Sequence, residues 1–93
     1  MENRQRLRIL YLYKILSEKT DDEHFISIQE IIAELDSYNI KAERKTIYAD
    51  IKALNDFGVD IIGQKVGRGY EYHMGVRRFE LAELKLLVDA VRS

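Results

Sequence analysis

The sequence predicts a mainly α fold with a small β-hairpin: three helices, then two strands, then one more helix. Three observations carry this expectation. Apolar residues recur at helical spacing in three segments before Gly58, the period changes to alternation after it, and helical spacing returns near the C-terminus. Proline is absent and a third of the residues are charged, which suits a helix-rich domain. A chain of 93 residues, 46% of them hydrophobic, is long enough to bury one core and too short for two.

Residues 4–18 contain no helix breaker, and Leu7, Ile9, Leu10, Tyr11, Leu12, Tyr13, Ile15 and Leu16 occupy almost every side of a helical wheel. A first helix of this kind needs two partners. The acidic stretch 19–24 reads as a solvated connection, and Ser27 with Glu30 makes a capping box that starts the second helix. Ile28, Ile31, Ile32 and Leu35 give that helix one apolar stripe, and residues 36–40 turn the chain. The third helix is expected from about Ala42 to Phe57, with Gly58 as its left-handed terminator. Ile47, Ile51 and Leu54 fall at i, i+4 and i+7, so Lys45, Tyr48, Ala49 and Lys52 should point away from the core.

After Gly58, residues 59–66 and 70–74 read as strands around the tip Gly67-Arg68-Gly69. Glycines allow positive φ there, and Tyr70, Tyr72 and Met74 should share the face that covers the helices. Residues 79–92 are again helical, with Leu84, Leu87, Val88 and Val91 on one stripe. The expected division is a domain over 1–75 and a linker helix over 76–93.

Charge is close to balanced, with 15 basic and 16 acidic residues, but its signs are segregated. Residues 1–17 carry four basic against one acidic, 18–36 one against seven, 37–52 four against two, and 61–79 four against one. The middle and hairpin segments are therefore locally basic. Three helices followed by a hairpin is the order of a winged helix-turn-helix, in which the third helix enters the DNA major groove. Arg44, Lys45, Thr46, Tyr48 and Lys52 offer donors on its outer side; Lys65 and Arg68 offer them on the hairpin, where a tip cation can enter a minor groove or hold a phosphate. The plain alternative for each is an ordinary solvated charge. Their occurrence in two elements in the expected order favours double-stranded DNA as partner.

Lys45-Thr46-Ile47-Tyr48-Ala49-Asp50-Ile51, with Leu54 and Gly58 beyond it, resembles the recognition-helix pattern in the N-terminal domain of WYL-domain bacterial transcriptional regulators and their DeoR-like relatives. Gly67-Arg68-Gly69-Tyr70-Glu71-Tyr72 is similar to that family's wing, and residues 78–87 resemble its helix leading towards a ligand-sensing part. The resemblance implies sequence-specific DNA binding within a longer regulator, with any effector held by a C-terminal domain that this chain lacks. Glu43 and Ala49 depart from the pattern, since the family often has serine and arginine there.

The lack of cysteine excludes disulfides, thiolate zinc sites and cysteine nucleophiles. His24 and His73 stand in different expected elements without a nucleophile elbow, phosphate loop or ligand motif, so each reads as a lone surface histidine. No enzymatic activity, metal or cofactor is expected. No apolar run approaches the roughly 20 residues of a membrane span, and no signal peptide is recognised, so the expected address is the cytoplasm, without a membrane partner. The rival reading is a protein-interaction winged helix without DNA binding. Homodimerisation is also expected, because Leu12, Tyr13, Ile15 and Leu16 cannot all be satisfied on the second and third helices, and the stripe of the last helix covers the remainder within the chain or across a two-fold axis.

Overall fold

The computed structural model describes residues 4–75. The expected helix over 79–92, and with it the linker assigned to 76–93, lies outside the described residues. Helix α1 (Arg4–Lys19) leads to the short strand β1 (Ile26–Ser27), which runs directly into α2 (Ile28–Ser37). Helix α3 (Arg44–Phe57) is followed by β2 (Ile61–Val66) and β3 (Gly69–Met74).

The sheet has three antiparallel strands in the order β1-β3-β2, where two were expected. The arrangement is accordingly a mixed α/β one. Ile26 pairs with Tyr72 and Ser27 with Glu71, so a two-residue strand closes the outer edge of β3. Two residues cannot display a period, and their partner is far along the chain. Ser27 ends β1 and caps α2 at once: its hydroxyl accepts from the Glu30 N–H at 3.2 Å, and the Glu30 carboxylate accepts from the Ser27 N–H at 2.9 Å.

The core lies between the three helices and one face of the sheet. Leu12, Ile15, Leu16, Ile31, Leu35 and Ile47 are the largest fully buried side chains, and Ile61, Tyr72 and Met74 close the core from the sheet. The expectation that α1 could not hide its apolar residues is thus corrected for Leu12, Ile15 and Leu16, which are at most 1% exposed. The uncovered side of α1 carries Leu7, Leu10 and Tyr13 instead. A helix apolar all round has a buried and an open stripe, and composition alone does not say which residues fall on which.

Two further expectations change. The third helix begins at Arg44, because residues 40–43 run extended into it and Glu43 is its N-cap. The hairpin begins at Ile61, because Val59 and Gly58 donate to the Leu54 carbonyl and finish α3, with Gly58 at φ 125°. Tyr70, Tyr72 and Met74 do share a face, yet Tyr70 stays exposed beyond the helices. His24 is on the surface as expected, whereas His73 is buried against Phe25, their rings stacked at 4.4 Å. Among the described residues no helix is long and apolar enough to cross a membrane.

Candidate nucleic-acid interface

The orientation of α3 is set by three attachments. Ile47, Ile51 and Leu54 bury one stripe, as their spacing predicts. On the same buried side Asp50 receives Arg8 of α1 through two hydrogen bonds, Nε at 2.5 Å and Nη2 at 3.1 Å. A fork-shaped guanidinium matched to a carboxylate fixes both distance and rotation. At the C-terminal end the Asn55 amide accepts from the Ile61 N–H at 2.8 Å and donates to the Ile61 carbonyl at 3.2 Å. That clasp ties the start of β2 to α3, so helix and hairpin keep a defined relation.

With the inner side so occupied, Arg44, Lys45, Tyr48, Ala49 and Lys52 are all exposed. Thr46 is half-buried and lines a depression between α2 and α3 with Ile32, Ile40 and Ala42, so it is less open than the sequence suggests. Lys52 forms an ion pair with Asp56 at 3.0 Å, one turn on, and would have to leave it to reach another anion. No ion pair holds Arg44, Lys45, Lys65 or Arg68 among the described residues.

The first turn of α3 is unusual in its chemistry. Glu43 makes no side-chain cap bond, no acidic residue lies in the turn, and Arg44 and Lys45 occupy it. Cations at a helix N-terminus oppose the macrodipole, at a cost of about 0.3–1 kcal/mol each. Uncapped N–H groups beside two cations favour an anion there, with the exposed Glu43 carboxylate at the N-cap acting against it.

The hairpin tip is a two-residue turn, Gly67-Arg68, between the paired Val66 and Gly69. Gly67 has φ 59° and Arg68 does not share that sign, which is the glycine-first pattern of a type II′ turn. Arg68 and Lys65 are exposed. Lys65 lies opposite Tyr70, and Gly63 opposite Tyr72, on the sheet face that turns towards the helices. A Cβ at Gly63 would come within 2.8 Å of Tyr72 Cε1, so the bare glycine is what lets that ring lie against β2.

The residues selected from sequence therefore occupy α3 and the hairpin as expected. What sequence reading missed are the parts that hold them, Arg8, Asp50 and Asn55, and the tyrosines of β3. Alternation already placed Tyr70 and Tyr72 on one face, but no sequence signal indicated that Tyr48 of α3 lies within electrostatic reach of Tyr72.

Fold and site together define a small α/β domain whose exposed basic and aromatic side chains stand on one helix and one hairpin. Comparison of the chain with protein-family models, curated proteins and solved structures returns no match.

Proposed function

We propose that this chain is a winged helix-turn-helix that binds double-stranded DNA sequence-specifically, with α3 in the major groove and the β2–β3 hairpin on the adjacent minor groove. The observation that carries the reading is the chemistry of α3: an uncapped first turn bearing exposed Arg44 and Lys45, on a helix locked in place by Asp50 and Asn55. Such a turn weakens the isolated helix and suits an anionic partner. Arg44 and Lys45 reach base edges and phosphates, Thr46 and Tyr48 contribute hydroxyls, Lys52 exchanges Asp56 for a phosphate, and Lys65 and Arg68 hold the minor-groove side.

The motif resemblance supports the further reading that the chain is the DNA-binding part of a cytoplasmic bacterial regulator, without enzymatic activity, whose effector would bind elsewhere in a longer protein. Leu7, Leu10 and Tyr13, exposed along α1, supply the surface for a homodimer. A two-fold dimer would call for an inverted-repeat operator with half-sites about 34–36 Å apart or a multiple of that. Sedimentation equilibrium of the wild type and Leu10→Glu tests the dimer.

Selection of bound sites from random duplex DNA, followed by titration at several salt concentrations, tests the function. Recovery of a defined site is expected, with a log–log salt slope near −4 to −5 for about four to six charged phosphate contacts. No binding at low salt would overturn the reading and favour a protein-docking module.

A further inference from the structure

The major and minor grooves of a duplex are separated by a sugar–phosphate strand, so an element in each must straddle that strand. If α3 and the hairpin tip do so, the strand meets whatever lies between them. Tyrosines stand on both elements. Tyr48 stands on the exposed side of α3 at 42% exposure, and Tyr70 on β3 at 48%. Tyr72 is buried, its ring against Gly63 and its centroid 6.4 Å from that of Tyr70; the Tyr48 and Tyr72 phenols are near enough to interact electrostatically. Lys65 faces Tyr70 directly across the hairpin. Among the described residues none of the three hydroxyls has a hydrogen-bond partner, and none is a buried orphan. Burial, its largest cause, pushes the Tyr72 phenol above its ordinary value. Like any tyrosine, all three are neutral O–H donors at neutral pH.

We infer that Tyr48, Tyr70 and Tyr72 form a phosphate-binding row whose O–H groups donate to the oxygens of the one DNA strand passing between α3 and the hairpin. The inference rests on the duplex-DNA reading above. Phenols suit this place because the strand runs close to the domain and a neutral donor can be half-buried at little cost, whereas an ammonium cannot. A further consequence separates them from the cations. A lysine or arginine on a phosphate displaces a condensed counterion and adds about 0.9 to the magnitude of the salt slope; a phenol displaces none. Part of the affinity should accordingly be independent of salt.

The test compares the full chain with Tyr48→Phe, Tyr70→Phe and the double variant on a random-sequence duplex over a range of salt. Both residues are exposed and neither hydroxyl holds a hydrogen bond within the described residues, so loss of either should leave the fold intact, which circular dichroism checks. Each single variant should bind about tenfold more weakly at every salt concentration, the loss of one hydrogen bond to a charged acceptor, and the double variant about a hundredfold, all with an unchanged slope. Lys65→Ala, in contrast, should reduce the slope itself by about 0.9. Unchanged affinity in the double phenylalanine variant, while the parent chain binds DNA normally, overturns the tyrosine row and leaves the DNA reading standing. So does loss only on Tyr70→Leu, which would assign the effect to ring packing. Failure of the parent chain to bind any duplex takes down both.

Discussion

Helices α2 and α3 are neighbours of similar amphipathic design, and their first turns are opposites. In α2, Ser27 and Glu30 satisfy each other's backbone N–H groups, and a carboxylate sits at the positive end of the helix. In α3 the cap makes no side-chain bond and two cations occupy that end. A good cap is worth about 1 kcal/mol and each favourable end charge a few tenths more. Local chemistry thus secures the start of α2, whereas α3, with no such cap, relies on its packing and on attachments to Arg8 and Ile61. The difference teaches that α3 is stabilised from its buried side, which leaves its exposed first turn without a local partner.

The largest expected effect would break this division. Asp50→Asn leaves the Arg8 guanidinium, itself only 16% exposed, without its counter-charge. Breaking such a pair costs about 3 kcal/mol, and urea unfolding should register it as a lower midpoint. A change below about 0.5 kcal/mol, the ordinary range for surface substitutions, would mean that α3 does not depend on the clamp.

Next come the exposed cations. Arg44→Ala or Lys45→Ala should narrow the gap between specific and random DNA by about 1–3 kcal/mol, the worth of a two-point base contact, with melting temperature unchanged or raised. Competition titrations with both duplexes read the gap. Equal loss on both would reassign these residues to phosphates alone.

A paired exchange at the caps sharpens the contrast. Ser27→Ala should destabilise by about 1 kcal/mol without altering DNA affinity, and Glu43→Ser should stabilise by about 0.5–1 kcal/mol. Thermal melts of both variants check the signs. A stability gain in Ser27→Ala would contradict the hydrogen bonds described for α2.

The smallest effect lies in the connection ahead of α2, where His24 Nδ1 and Asp21 Oδ1 are 2.7 Å apart at the surface. The hydrogen bond to Asp21 raises the His24 pKa above 6.5, and the same bond lowers that of Asp21 below 3.8. The His24 contribution is fully present below its unfolded pKa and fades as pH rises through the raised folded value. That of Asp21 is present above its unfolded pKa and fades as pH falls through the lowered folded value. The pair therefore acts in the window between the two. Imidazole titration by NMR should give a midpoint above 6.5 that drops in Asp21→Asn; coincident midpoints would dissolve the pair.

Helix positions and inner faces were legible because a repeated period is a local property: Ile47, Ile51 and Leu54 announce their stripe whatever else the chain does. The exposed cations of α3 followed by subtraction, and Gly67-Arg68 marked the hairpin tip through backbone sterics. Strand β1 was illegible because its stability comes from Tyr72 and Glu71, far away in sequence. His73 looked like a surface residue because a lone imidazole says nothing of the Phe25 ring stacked on it.

Periodicity, capping residues and glycine positions by themselves determined where the helices and the hairpin run and which side of α3 carries Arg44, Lys45 and Tyr48. The tertiary structure alone decided that Asp50 reaches Arg8, that Asn55 holds β2, and that Tyr48 comes near Tyr72. The physical reason is range. A period or a cap is settled within a few residues of chain, whereas an ion pair 42 positions apart exists only once the core has brought two helices together.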